Sequence, residues 1–482
     1  METRSFLSGR AQPFVKTTAI EGSLTLPQTL PDIAAVLTAA GTAQTDEVAC
    51  TPQGINVKGR AYFQILYLDT EGMPRSFDAQ CSFSCEIEQD MGEAVTAAAL
   101  ARFEDIAVKE SPRRVDLRAQ LVVTATAACN RTFETTDGGE DCEKQEGSHM
   151  VTVIADVAHA LSTAAGSIVI PQSLPEVKEV LMATGAAEIT AVHRDIERIA
   201  VEGELKLGIV YMGCDKNAPI QYMSENVPFS EIIPVKGEGE PLVSCAAARI
   251  FVEKGDEPDT LAYSCATELN VIMTGREEVT LLEDAYSTTH ASQAIRGTVD
   301  TCELICIPPQ RRVIRAGAVI PETCPEASRV LLTTVTPQVK EARAAKGAVS
   351  VEGTLICTVC YTTAGLGVRS AKLAIPFETE LSAPVSEGMW VSVDAQCEYA
   401  AAEGSGRELE LRACLSFCGT AFAYEDIDTV TELRCGEPLE RDGGIMLYFA
   451  DPDESDWDIL KRFSVSEEHM KDMGEGRKMI LI

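Results

Sequence analysis

Histidine is scarce in this chain. Five occur in 482 residues (His149, His159, His193, His290 and His469), and no two stand at a metal-ligand spacing. That removes the commonest transition-metal ligand sets and most candidates for a general base. The sequence also has no G-x-S-x-G, P-loop, G-x-G-x-x-G or H-E-x-x-H. His193-Arg194-Asp195 spells the H-R-D of a kinase catalytic loop, but the glycine-rich loop and D-F-G are missing, and Val201 and its neighbours stand where the asparagine belongs. Among 74 acidic residues no pair stands out for glycosidase work. Positive charge is short: 41 Lys and Arg leave a net charge of −33, which disfavours nucleic acid and anionic lipid as partners. No stretch approaches a membrane span of about 18 consecutive apolar residues. The opening METRSFLSGRAQPFVKTT lacks an apolar core long enough for a signal peptide. Seventeen cysteines, an odd number, cannot all pair within the chain. Together these features predict a reduced cytosolic protein with mostly buried thiols, no metal or cofactor, no membrane insertion and no catalytic residues.

What is present is a threefold repeat. Setting Gly59, Gly203 and Gly353 in register brings Tyr67, Tyr211 and Tyr361 together, each eight residues on, and Pro31, Pro175 and Pro325 together, each 28 residues before. The copies recur after 144 and then 150 residues. Phe83, Phe229 and Phe377 follow in turn. Arg118 and Arg412 both stand 87 residues past their proline, in VDLRAQL and LELRACL. The register also explains a CxxC. Cys357 occupies the slot of Phe63 and Leu207, and Cys360 that of Leu66 and Val210. Both read as small hydrophobes, on opposite faces of a strand. The CxxxC pairs Cys81/Cys85, Cys302/Cys306 and Cys414/Cys418 would share a face, with no histidine cluster to make them a metal site.

Alternation sets the fold class. Ile199, Val201, Gly203, Leu205, Leu207, Ile209 and Tyr211 form one row, and Val349 to Tyr361 repeat it. A glycine at the same slot three times suggests a bulge or a close backbone approach. The pattern predicts a mainly β chain of three tandem antiparallel, sandwich-like domains at 20–165, 166–315 and 316–435. Ile33, Val36 and Leu37, with their counterparts after Pro175 and Pro325, stand at helical spacing and predict a short helical turn. The polar stretch 139–149 reads as a loop insertion. The tail, 442–482, reads as strand, acidic turn, helix, second short helix and strand, a βααβ unit. In it Asp456 caps a helix carrying Trp457, Leu460 and Phe463.

These residues resemble a known family. Pro-[Asp/Glu]-x-x-x-Val-Leu, then the glycine strand ending in tyrosine, then Pro-Phe-[Ser/Glu], resembles the SPOCS domain of clostridial sporulation proteins. LEDAYS (282–287) is similar as well. The tail resembles a divergent, shortened LysM domain. Trp457, Ile459, Lys461, Arg462, Phe463, Val465 and Ser466 match its W-x-I-A-K-R-Y-x-V-S run. The combination resembles the SipL family of spore-coat morphogenesis proteins. The resemblance implies a non-enzymatic scaffold at the forespore surface in the mother-cell cytoplasm. Its LysM-like domain would contact a coat morphogenetic ATPase similar to stage IV sporulation protein A, and other coat proteins are further candidate partners. Candidate partner-binding residues are Asp456, Trp457, Ile459, Lys461, Arg462 and Phe463. A LysM domain also implies an alternative, a peptidoglycan or N-acetylglucosamine binder of the cortex or wall. The usual Gly-Asp-Thr turn is here Pro452-Asp453-Glu454-Ser455-Asp456, a shortened acidic loop that suits a protein better than a sugar.

Overall fold

The computed structural model describes residues 3–89, 95–136, 139, 141–214, 220–257, 259–365, 367–441, 443–474 and 476–482. Each repeat contributes six strands. The first holds β1 (Thr3–Thr25), β2 (Ile33–Thr51), β3 (Gly54–Asp69), β4 (Pro74–Glu88), β5 (Thr96–Ser111) and β6 (Arg114–Thr136). The second holds β7 (Cys142–Val169), β8 (Val177–Asp195), β9 (Arg198–Gly213), β10 (Ile220–Pro234), β11 (Glu240–Lys254) and β12 (Thr260–Ser287). The third holds β13 (His290–Val319), β14 (Arg329–Ala345), β15 (Ala348–Thr362), β16 (Val368–Ser382), β17 (Trp390–Gly404) and β18 (Glu408–Pro438). In every repeat the second, third and fourth strands form one antiparallel sheet, and the first, sixth and fifth form another. The expected limits at 20, 166 and 316 fall inside β1, β7 and β13.

A core lies between the two sheets of each repeat. In the third, Val349, Val351, Leu355, Cys357, Val359 and Tyr361 face Leu409, Leu411, Ala413, Leu415 and Phe417. The other two repeats are built alike. The repeated tyrosine closes this core and returns its hydroxyl to the repeated proline. Tyr67, Tyr211 and Tyr361 donate to the carbonyl oxygens of Pro31, Pro175 and Pro325 at 3.2, 3.3 and 2.9 Å. The repeated glycine makes room for the repeated phenylalanine, with which it pairs across the sheet. A Cβ on Gly59, Gly203 or Gly353 would stand within 2.7 Å of that ring and within 2.5 Å of a carbonyl oxygen on the other neighbouring strand.

Two expectations are corrected. The apolar spacing after each proline does not make a helical turn: β2, β8 and β14 run there instead. Their ladders slip at Ile33/Ala35 and Val36/Thr38, at Val177/Glu179 and Val180/Met182, and at Val330/Leu332. A bulge inserts a residue and shifts which face the following side chains take. Ile33 and Val36, three apart, then pack in one cluster, while Leu37 turns to the cluster between repeats, so the helix-like spacing comes from a bulged strand that is apolar on both faces. The polar stretch at 139–149 is not a loop insertion either. From Cys142 onward it is the start of β7 and pairs along β12, with Cys142 opposite Ser287. It is polar because a two-stranded ribbon has water on much of both faces.

The repeats close into a ring. β4 meets β8, β10 meets β14, and β16 returns to β2. Leu37, Leu66, Leu181, Val210, Leu332 and Cys360 form the cluster where the three meet. The first and last strands of each repeat continue beyond their third partner as paired arms. These arms pack together: Ala128, Ile272 and Phe422, equivalent by register, share one cluster with Ala11, Ile154 and Cys302. Polar bonds staple the bundle. Asn130 donates to the Ile154 carbonyl at 2.7 Å and accepts from the Ile154 amide at 2.8 Å. The Thr152 amide donates to Thr301 at 3.1 Å, and Tyr424 donates to the Ala11 carbonyl at 3.1 Å.

The tail holds β19 (Ile445–Phe449), helix α1 (Asp456–Phe463), a 3₁₀ turn (Glu467–His469), β20 (Met470–Gly474) and β21 (Arg477–Leu481). Its sheet order is β19-β21-β20. The second helix of the expected βααβ unit is thus a single 3₁₀ turn, followed by a third strand. Gly474 and Gly476 take left-handed φ values of 80° and 73° and permit the tight β20–β21 hairpin. Among the described residues no helix is long and apolar enough to cross a membrane.

Candidate functional site

Chemistry is not assembled where the sequence offered it. Cys357 lies in the sandwich core of its repeat, and Cys360 in the cluster between repeats. They face opposite ways, as their slots require. Burial pushes both thiols up to about 12, so neither is a thiolate near neutral pH. Cys360→Val should therefore keep the thermal midpoint, because Val210 fills the same slot in the second repeat. Cys360→Ser should cost about 1–3 kcal/mol by burying a hydroxyl. Equal melting of the two variants would contradict the packing role. Among the described residues no group of three or more His, Cys, Asp or Glu could hold a metal ion. His193-Arg194-Asp195 ends β8, where Asp195 pairs with Arg198 at 3.0 Å across the turn into β9.

A cavity of about 1500 Å³ lies between the three repeats. Arg102 of the first repeat spans it, donating to the Cys245 carbonyl of the second at 2.7 Å and pairing with Asp394 of the third. Gln64 accepts from the Ala183 amide at 2.7 Å, and Gln396 accepts from the Ala187 amide at 3.0 Å. These polar groups bind one repeat to another. No histidine is among the described residues that line the cavity.

The tail is the better site. Ser455, not Asp456, caps α1. Its hydroxyl accepts from the Asp458 amide at 3.2 Å, and the Asp458 carboxylate accepts from the Ser455 amide at 3.4 Å, closing a capping box. Asp456 takes the first helical position and pairs with Lys478 at 2.7 Å. The helix rests on the end of the second arm, in the stretch LEDAYS. Trp457 Nε1 donates to Asp284 at 2.9 Å, and Lys461 Nζ donates to both carboxylate oxygens at 2.7 and 2.6 Å. Arg296 of the third arm stands 3.6 Å from the same carboxylate. Burial alone would raise the Asp284 pKa, but hydrogen bonds from Lys461 and Trp457 and the lysine charge outweigh it and hold it below the ordinary range. Tyr286 lies edge-on to Trp457 at 5.1 Å and donates to the Val465 carbonyl at 2.8 Å. It joins Ile459, Leu460, Val465 and Ile480 in the small core of the tail.

The six candidate partner residues therefore divide. Trp457 and Lys461 hold the tail to the arm, and Ile459 is interior. Phe463 packs edge-on against Tyr448 at 5.3 Å. Arg462 lies over the Tyr448 ring at 5.5 Å and pairs with Glu454 at 2.7 Å. Asp456 and Arg462 stay exposed. Sequence reasoning noted LEDAYS without seeing that its Asp284 and Tyr286 receive the tail. Only the threading of the arms brings residues 284 and 457 together.

With the repeat geometry in place, family comparison becomes specific. A sequence model of the family described as "SipL, SPOCS domain" matches residues 176–253 and 326–403. The second and third repeats carry SPOCS domains. Each SPOCS match starts just after the repeated proline and runs through the sheet of the repeated glycine into β11 or β17. The first repeat lies outside the matched residues, yet it makes the same Tyr67–Pro31 bond and the same Gly59–Phe83 packing. No curated protein and no solved structure matches the chain. The SPOCS assignment ties the chain to sporulation.

Proposed function

We propose that this protein is a non-enzymatic scaffold of the spore envelope, working in the mother cell at the forespore surface. On this reading the three SPOCS repeats form a stiff body. The C-terminal module, LysM-like in its tryptophan-bearing helix, joins that body to the coat basal layer by binding a coat morphogenetic ATPase similar to stage IV sporulation protein A. The observation that carries the proposal is the seating of the tail. It is fixed at the end of the arms by Asp284 and Tyr286, so a partner bound to it takes a defined place relative to the repeats. The same seating argues against a wall-binding role for the tryptophan-bearing helix, because the Trp457 ring packs on Tyr286 and its N–H is engaged, so that ring is not a free platform for a sugar. Asp456 and Arg462 are exposed in ion pairs with Lys478 and Glu454, and a protein partner would meet them at the surface of the tail.

A pull-down from sporulating-cell lysate tests this, with the coat ATPase identified by mass spectrometry and insoluble peptidoglycan as parallel bait. The full chain should retain the ATPase, a chain ending at residue 440 should lose it at least tenfold, and peptidoglycan should retain neither form. Retention of the full chain by peptidoglycan, with no ATPase recovered, would establish the wall-binding alternative instead.

A further inference from the structure

β19 is the outer strand of the tail sheet, and among the described residues no strand pairs with its far side. Gly444 and Ile482 exchange both backbone hydrogen bonds, and the Ala450 amide donates to Gly476. In an antiparallel pair, successive residues turn their backbone groups alternately toward and away from the partner. Ile445, Leu447 and Phe449 thus present their N–H and C=O groups to the open side. Their side chains share one face, opposite Tyr448 and α1, and are 72%, 55% and 65% exposed. Leu481, across the ladder from Ile445, is 40% exposed. Soluble proteins usually blunt such an edge with lysine, proline or a bulge. The strand Ile445-Met446-Leu447-Tyr448-Phe449 has none of these. Exposed acids flank it, Glu437 and Glu440 before it and Asp451 and Asp453 after it, while the neighbouring base, Arg441, is engaged by the Thr288 and Ser464 carbonyls.

We propose that β19 accepts, as a fourth strand of the tail sheet, an extended apolar segment of a partner protein that carries Lys or Arg at both ends. The proposal deepens the reading of the tail as a docking module and rests on it. Strand addition would supply main-chain hydrogen bonds for affinity and alternate side chains for specificity. Charge selects the occupant. A second copy pairing edge to edge would bring the same acids against each other, in a chain of net charge −33. A basic-flanked segment neutralises them.

The test uses the full chain and a fluorescent peptide of alternating valine and threonine with lysine at each end. A glutamate-ended peptide is the control. Anisotropy should give at least tenfold tighter binding of the lysine-ended peptide. Leu447→Pro removes an N–H that faces the open side and leaves the β19–β21 bonds intact. Leu447→Lys keeps that N–H but places a charge under the peptide. Each should weaken binding at least tenfold while tryptophan emission shows Trp457 still seated. Equal affinity for the two peptides would overturn the proposal, as would unchanged affinity in both variants. A wild-type dimer in sedimentation that Leu447→Pro abolishes would overturn it in favour of a second copy. The lysate pull-down separates the two levels. ATPase retained equally by wild type and Leu447→Pro overturns the edge and leaves tail docking in place. If wild type retains none, the docking reading fails and the peptide arms alone decide the edge.

Discussion

Gly203→Ala should destabilise the full chain by about 1–3 kcal/mol, a large loss for one methyl group. The added Cβ would lie 2.3 Å from Phe229 Cζ and 2.5 Å from the Glu188 carbonyl oxygen. A ring can tilt, but a carbonyl bonded into a neighbouring strand cannot move without its ladder. The cause is space, since Gly203 is not among the glycines with positive φ. Gly22→Ala is the control, because nothing lies within 4 Å of a Cβ there. It should leave the denaturation midpoint almost unchanged. Gly203→Ala combined with Phe229→Ala should not restore stability, because the carbonyl clash remains and the ring's burial is lost. Equal midpoints for Gly203→Ala and Gly22→Ala would refute the close-approach argument. The closed ring adds a second expectation. Each repeat buries surface on both others, so the damaged chain should still unfold in one transition rather than lose its second repeat first.

The same glycine shows how far the sequence could be read. Its threefold recurrence marked a close approach, and the spacing to Tyr211 and Pro175 marked a unit. Both were legible because each repeat solves the same packing problem with the same residues. The cysteine slots were legible for the same reason. The helical spacing after each proline misled, because bulges let a strand carry a helix-like apolar period. The ring was hidden altogether. Its contacts use Leu37, Leu66 and Cys360, which alternate as any strand residues do, and nothing in a local pattern says that an outward face meets another repeat. The tail was legible as a helix bearing Trp457. Its second helix was not, since Glu467 to His469 complete only one turn before the chain enters the β20–β21 hairpin.

The arms give a physical reason for three copies of the repeat in one chain. One six-stranded sandwich has exposed apolar side chains at the outer faces of its glycine strand and along its long hairpin. Three copies in a closed cycle bury both sets at once, and no end repeat is left to cap. The arms then extend past the sandwiches as a bundle whose inner layers mix apolar and hydroxyl side chains. Thr135 and Thr429 lie 3.4 Å apart there, and Thr429 donates to the Leu282 carbonyl at 3.2 Å. Such bonds fix the register of one arm against another, and register decides where Asp284 and Tyr286 emerge.

Asp284→Ala should release the tail. The carboxylate is the shared acceptor for Trp457 and Lys461 and is largely buried, and hydrogen bonds to a charged group contribute about 1.5–3 kcal/mol. Docking should therefore weaken by about tenfold to a hundredfold. Trp457 emission should shift to the red, and protease should remove the tail while the strands β1–β18 stay resistant. Asp284→Asn keeps an acceptor for the indole and loses the charge opposite Lys461, so it should fall between wild type and alanine. The pH dependence has a definite sign. The folded pKa of Asp284 is depressed, so its stabilising contribution is complete above the ordinary value of about 3.9 and is lost as pH falls through the lower folded value. Wild-type docking should hold from neutral pH down to about 4 and fail below it, and Asp284→Asn should lack that acid limb. Because β19 presents its open edge and the face opposite α1, Asp284→Ala should leave the affinity for the lysine-ended peptide within about twofold. Unchanged Trp457 emission and unchanged proteolysis in Asp284→Ala would show that Tyr286 and the apolar contacts hold the tail without the carboxylate.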